Sequence, residues 1–227
     1  MRYAVLSDIH GNLEAFEAAL KRLSAENIDA YISLGDIVGY GADPVACIKL
    51  LRSLKPEVSI AWNHDRGAVG SFPLDGFNEL AREAALWTGK VLKGGEKEYL
   101  KSLPTVYRAA DFVVTHGSLE EPEDFNYILN RADAVRSMEL MDSALLFIGH
   151  SHVPCIYDFE ITGKRIVNAG SVGQPRNWDP RANFVIYDSD TSVVEMVKVS
   201  YDVGKARKKI IDAGLPIFLG DRLLKGQ

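Results

Sequence analysis

The sequence predicts an α/β protein built on a largely parallel sheet, with a second sheet in its later part. Three observations predict it. In the first half, a short apolar strand is followed by a turn bearing Asp, His or Asn and then by a helix, three times over, and alternation of this kind implies parallel strands. After Val153-Pro154 the pattern changes to short strands joined by tight turns. Finally, all five histidines close or follow an apolar run, the place where open α/β sheets carry their sites.

Taken in order, residues 3–6 form the first strand and residues 7–12 the turn after it. Leu13, Phe16, Leu20 and Leu23 then share one helical face. Residues 30–34 are the second strand, ending on Gly35-Asp36. The loop 37–41 leads to a helix whose start is marked by Asp43 as N-cap and Pro44 at the first helical position. Residues 57–61 are the third strand and run into Trp62-Asn63-His64-Asp65 as a turn. Residues 76–102 read as two helical pieces with Gly94-Gly95 between them. Strands at 106–107 and 112–114 begin the second sheet, the latter ending on Thr115-His116. A helix at 131–140 precedes the apolar run 144–148, which opens onto Gly149-His150-Ser151-His152. Strands follow at 155–159, 165–168, 183–187 and 193–199, with turns at 162–164 and 189–191. The tail 203–224 reads as two short helices broken at Gly214-Leu215-Pro216.

Composition is that of a globular chain, 47% hydrophobic and 25% charged, and its 227 residues fit one domain over 1–227. No apolar run approaches the ~20 residues a membrane span needs, and the first strand is too short for a signal-peptide core. Cys47 and Cys155 have no paired spacing, so packing is their expected role and the cytoplasm the expected compartment. A net charge of −5 argues against nucleic acid as a partner. The one basic run, 205–209, is expected to be a solvated helix face.

Collected by position, the strand-end polar residues are Asp8, His10, Asp36, Asn63, His64, His116, His150 and His152. Residues two apart in extended chain point the same way, so His150 and His152 can converge. Carboxylate, amide and imidazole donors together suit Mn2+, Fe2+ or Zn2+ better than a thiolate site would. Seven of these, His64 set aside, exceed what one ion takes from protein, whereas two ions sharing a carboxylate would use them all. Two-metal sites with ions ~3.5–4 Å apart are a standard device for phosphoryl displacement. Two divalent ions less two aspartates and a hydroxide leave a net positive site facing an anionic phosphate.

The order Asp8-x-His10, Gly35-Asp36, Asn63-His64-Asp65, His116, Gly149-His150-x-His152 resembles the calcineurin-like metallophosphoesterase superfamily. The likeness spans residue 8 to about 180. The stretches 35–41 and 168–176 look like its small single-domain bacterial and archaeal branch. The resemblance implies a four-layer α/β/β/α sandwich and two divalent ions, Mn2+ first and Fe, Zn or Ni as alternatives. It implies that Asp8, His10 and His152 hold one ion, that Asn63, His116 and His150 hold the other, and that Asp36 bridges them. A hydroxide between the ions would be the nucleophile. His64 would stabilise the transition state or protonate the leaving oxygen, with Asp65 orienting it.

Asn12, Tyr40 and Arg176 are candidate substrate contacts, the last because guanidinium binds phosphate in a bidentate way. The family usually has Gly where this chain has Trp62, so Trp62 is expected to narrow access, with Trp178 as a second aromatic wall. The expected function is hydrolysis of a small phosphodiester or phosphomonoester. A nuclease using the same site and a silent protein-binding scaffold on the same fold are the alternatives. The loop 118–127, acidic at Glu120, Glu121, Glu123 and Asp124, disfavours a long polyanion if it faces the site.

Overall fold

A computed structural model describes all 227 residues, Met1–Gln227. Ten strands form two sheets. The first contains β1 (Arg2–Leu6), β2 (Ala30–Ser33), β3 (Val58–Ser59), β9 (Ala182–Asp188) and β10 (Val193–Val199), in the order β10-β9-β1-β2-β3. The second contains β4 (Val106–Arg108), β5 (Phe112–Thr115), β6 (Leu145–Ile148), β7 (Cys155–Phe159) and β8 (Lys164–Asn168), in the order β4-β5-β6-β8-β7. Both are mixed. β1, β2 and β3 run parallel, as do β5, β6 and β8; β9 lies antiparallel beside β1, and β4 and β7 lie antiparallel on either side of the second trio.

The period of two along each strand decides the layers. Tyr3 and Val5 of β1 face Phe112 and Val114 of β5, Phe147 of β6 and Val167 of β8 in a core between the sheets. Ala4 and Leu6 point the other way, onto Phe16, Leu23, Ile48 and Leu51 of α1 (Leu13–Leu23) and α2 (Pro44–Ser53). On the far side Val113, Leu146, Ile148 and Ile166 pack against Ala134 of α6 (Arg131–Glu139). The result is the expected α/β/β/α order.

Local departures from the sequence reading have local causes. β3 is two residues long, and Asn63–Ala68 is a helix, α3, rather than a turn. It starts there because the Asp65 carboxylate accepts the Trp62 N–H at 3.2 Å, bending the chain into its first turn. The helices α4 (Glu79–Val91) and α5 (Gly94–Ser102) are separated at Leu92-Lys93, and Gly94-Gly95 opens the second helix instead of lying between the two. Glu96 accepts the Lys93 N–H at 3.2 Å and sets that start. In the tail, α7 (Val203–Asp212) and α8 (Ile217–Asp221) are split at Gly214 and Pro216 as the sequence suggests. The basic run on α7 is not a free solvated face. Lys209 lies 2.7 Å from the buried Glu14 of α1 and 2.8 Å from Asp43, Lys205 lies 3.1 Å from Glu14, and Arg207 pairs with Asp221 at 2.6 Å.

Candidate metal centre

The carboxyl ends of the parallel strands of both sheets meet in one place. Asp8 and His10 follow β1, Asp36 follows β2, Asn63 and His64 open α3, His116 follows β5, and His150 and His152 follow β6. The backbone leaves these strands sharply. Asp8, His10, Asp36, Tyr40, His150 and His152 all have positive φ, between 48° and 66°. Non-glycine residues rarely adopt this conformation, and each instance costs of order 1–3 kcal/mol that the surroundings must supply. Hydrogen bonds between turns supply part of it: Asp8 N–H donates to Gly35 O at 3.1 Å, His10 N–H to Asp36 O at 2.9 Å and Gly149 N–H to His116 O at 2.8 Å.

Four of the five imidazoles are fixed from behind by a backbone carbonyl. His10 Nδ1 bonds Val38 O at 3.1 Å, His116 Nδ1 bonds Leu34 O at 2.6 Å, and His152 Nδ1 bonds Gln174 O at 2.5 Å. His150 is turned the other way, with Nε2 on Phe125 O at 2.9 Å. A carbonyl only accepts, so the bonded nitrogen carries the hydrogen and, in a neutral ring, the other nitrogen presents a lone pair. Those lone pairs converge. His10 Nε2 and His152 Nε2 stand 3.1 Å apart, and His152 Nε2 is 3.1 Å from Asp8 Oδ1. His116 Nε2 lies 3.2 Å from Asp8 Oδ1 and 3.3 Å from Asp36 Oδ2.

The carboxylates are divided in the same manner. Asp8 Oδ2 accepts from Ser7 Oγ at 2.6 Å and His150 N–H at 3.1 Å, and Asp36 Oδ1 accepts from His64 N–H at 3.1 Å. Their other oxygens, Asp8 Oδ1 and Asp36 Oδ2, are buried without a hydrogen-bond partner, as are Asn63 Oδ1 and His116 Nε2. Buried acceptors left unpaired are costly. Several facing one another at ion-pair distance match what divalent cations would satisfy. Donor atoms of Asp8, His10 and His152 lie within 4.8 Å of one another; so do those of Asp36, His116 and His150, and those of His10, Asp36 and His64.

The electrostatics of these side chains tell the same story. Burial opposes charge on His116, but Asp8 and Asp36 outweigh it and lift the ring to about 10, so a proton stands where cationic charge is wanted. Burial, followed by the charge of Arg176, takes His152 down to about 3. Burial also holds His64 and His150 well below the usual histidine range.

Other expected contacts are placed differently. Asp65 does not touch the His64 ring: burial and the Asp36 charge raise it to about 8, and its oxygens accept the N–H groups of Ile37, Val38 and Trp62 at 3.0–3.2 Å. It therefore holds the 37–38 loop, whose Val38 carbonyl fixes His10. Trp62 is fully buried, with its ring centroid 5.5 Å from that of His116 and 4.8 Å from that of Phe125. It packs beneath the site and roofs nothing. Asn12 is spent on structure, its Oδ1 capping α1 at Ala15 N–H and its Nδ2 donating to Gly173 O. Trp178 is 76% exposed and lies against the tail, its N–H on Gly226 O. Tyr40 and Arg176 are at the site: the Tyr40 ring is 4.8 Å from His10 and 4.4 Å from His64, and the Arg176 guanidinium is 5.7 Å from the Tyr40 ring. Of the acidic loop only Asp124 faces the adjoining cavity, because Glu120 pairs with Arg136 and Glu123 accepts from Thr105.

Sequence reasoning missed Tyr127, stacked on His150 at 3.6 Å, and Phe77, 5.1 Å from His64. Both sit in loops with no pattern of their own. A larger cleft of about 770 Å3, lined by Asp111, Asp158 and Lys164 among others, opens where β6, β8 and β10 begin, the wrong end of the parallel strands for a site of this fold.

The profile of the calcineurin-like phosphoesterase superfamily domain matches residues 1–192. An uncharacterized protein of Methanocaldococcus jannaschii is 37% identical over 99% of this chain and 98% of its own length. Among solved structures, a metallophosphoesterase from Sphaerobacter thermophilus is 36% identical with a TM-score of 0.90, over 100% of this chain and 99% of that one. A hypothetical protein from Pyrococcus horikoshii is 25% identical with a TM-score of 0.86, over 100% and 98%. With the profile covering most of the chain, this protein belongs to the calcineurin-like phosphoesterase superfamily and is a metal-dependent phosphoric ester hydrolase.

Proposed function

We propose that the protein hydrolyses a small phosphodiester or phosphomonoester using two divalent ions. Asp8, His10 and His152 would hold one ion, Asn63, His116 and His150 the other, and Asp36 would belong to both. The observation that carries this reading is the pair of buried, unpartnered oxygens, Asp8 Oδ1 and Asp36 Oδ2, each within 3.8 Å of two or more imidazole nitrogens. Bound there, divalent ions would supply a water of lowered pKa and positive charge for the phosphoryl oxygens. Mn2+ is the ion to load first, with Fe, Zn and Ni suited to the same donors.

The chain's own residues supply orientation and proton handling. The four carbonyl bonds keep each imidazole in one tautomer and one rotation, which makes the donor set rigid before anything binds. His64 stands beside His10 and Asp36, and in this reading its ring passes a proton to the leaving oxygen. Asp65 is a positioning residue, acting through the Val38 carbonyl on His10. Arg176 makes no ion pair within the chain. Its Nη2 rests on Gln174 Oε1 at 2.8 Å, leaving the guanidinium available to a phosphate oxygen. No helix is long and apolar enough to cross a membrane; free Cys47 and Cys155 support the cytoplasm as the proposed compartment.

Elemental analysis of purified protein, paired with hydrolysis of generic diester and monoester substrates in Mn2+, tests the reading. Wild type should hold about two ions per chain and turn over at least one ester class. Asp36→Asn should lose metal and activity together. His64→Ala should keep its metal while turnover falls about 10²–10⁴-fold, the usual share of one proton-transfer residue. Absence of both bound metal and turnover with any of the four ions would overturn it.

A further inference from the structure

Beside the centre lies a second cavity of about 210 Å3, with His64 and His150 in its lining. Its walls are aromatic. Phe72 and Phe77 come from the loop before α4, Phe125 and Tyr127 from the loop after β5, and Tyr40 from the loop after β2. Phe72 meets Phe125 edge to face at 4.5 Å, Phe77 meets His64 at 5.1 Å, and Tyr127 lies flat on His150 yet remains 44% exposed. Pockets for drug-sized ligands run to about 300–1,000 Å3, so this one has room for a single ring system. No Lys or Arg lines it, and its one charged residue is Asp124.

We propose that this slot receives the leaving group of the ester, and that the leaving group carries a flat, uncharged aromatic ring. The inference rests on the phosphoesterase reading above. Hydrolysis places the oxygen of water on phosphorus, breaks the bond between phosphorus and the leaving oxygen, and delivers one proton of that water, overall, to the leaving oxygen. The group that hands over the proton must lie between phosphorus and the leaving group. His64 occupies that position, shared by the metal-facing cluster and the wall of the slot. Arg176, the cation near Tyr40 and His152, is absent from the slot lining, so the phosphate belongs on its side and the ring on the side of Phe72 and Phe77. Aromatic walls favour ring edges and faces over aliphatic bulk, and Asp124 repels a second anion at the far end.

The test compares phenyl esters with esters of a fluorinated aliphatic alcohol of matched acidity, so that leaving ability does not decide the result. In parallel, phenylphosphonate and cyclohexylphosphonate are titrated calorimetrically into the Mn2+-loaded protein, a readout independent of turnover. Wild type should prefer the aromatic member of each pair by about tenfold, the scale of one stacked ring. Phe72→Leu should cut that ratio about fivefold, through KM and Kd more than kcat. Asp124→Asn should raise acceptance of a 4-carboxyphenyl ester relative to phenyl. Adding a nucleoside 5′-phosphonate separates a nucleobase from a simple aryl ring by which binds tighter. Esters turned over with no aromatic preference, or a ratio unmoved by Phe72→Leu, would overturn the slot while leaving the phosphoesterase reading intact. Selective phosphonate binding without any turnover would support the slot and overturn the enzyme reading instead.

Discussion

The two oxygens of Asp8 have different neighbours, and the residue that permits this is Gly149. Oδ2 is tied to Ser7 and to the His150 N–H, which leaves Oδ1 facing His116 and His152. A side chain at position 149 would place its Cβ 2.5 Å from Asp8 Oδ2 and nearer still to Ser7 Oγ, so only glycine lets the β6 turn approach the β1 turn. Gly149→Ala should therefore rotate Asp8 and cost about 10–100-fold in affinity for one of the two proposed ions, as losing a partner behind a metal ligand does. Stoichiometric titration of Mn2+ would show a strong and a weakened site in the variant. Two unchanged sites would mean that the turn relaxes without moving Asp8. The ligand-type residues were legible in the sequence because each is a polar residue at the end of an apolar run. Trp62 and Asn12 were misread for the opposite reason. What an indole or an amide does depends on distant partners, Phe125 and His116 for the one and Gly173 for the other, which no local pattern encodes.

Between elements, the most consequential polar contact away from the site is the ion cluster that joins α1, α2 and α7. Glu14 is buried on α1, and burial alone would lift its carboxyl; the ion pairs with Lys209 and Lys205 outweigh that and hold it below the ordinary range. A carboxyl depressed in the folded state stabilises the fold above its unfolded pKa of ~4.3 and loses that contribution as pH falls through the folded value. Lys209→Met should consequently cost about 1–2 kcal/mol at pH 7, less than the 3–5 typical of a fully buried pair because Lys209 is 31% exposed. The difference from wild type should shrink toward pH 4, because Glu14, left buried without Lys209, takes up a proton in the variant at a higher pH than it does in wild type. Urea unfolding at the two pH values measures it, and a deficit equal at both would show that packing rather than charge was lost. Strand and helix order were readable from apolar periodicity, and the start of α2 from Asp43 and Pro44. The cluster was not. A basic run looks the same on a solvated helix as on one that lies over a buried glutamate.

At the scale of the whole molecule, the last helices lie outside the 1–192 match to the superfamily domain yet pack against the site. Leu215, Leu219 and Leu223, with Ala206 and Ile210 of α7, form one buried cluster with Tyr40 and with Ala81 and Ala84 of α4, and Phe77 leans on the same cluster. Tyr40 is held at φ 59° beside His10 and His64, and its ring is backed by that packing. The tail also brings Arg222 near Arg176, where burial and then the Arg176 charge lower it to about 10. A loosened tail should thus be felt at the catalytic end of the sheets. Leu219→Ala and Leu51→Ala each empty a fully buried site and should each cost about 2–5 kcal/mol of stability. Leu51 lies near the far end of α2, in the core shared with α1, away from Tyr40. Assayed well below both melting temperatures, Leu219→Ala should lose about tenfold or more in kcat/KM, since a shift of even 1 Å in a positioned group can cost 10²-fold. Leu51→Ala should stay within about twofold of wild type, because stability lost elsewhere leaves the folded site unchanged. Equal activity in the two variants would mean that the tail stabilises the molecule without shaping the site.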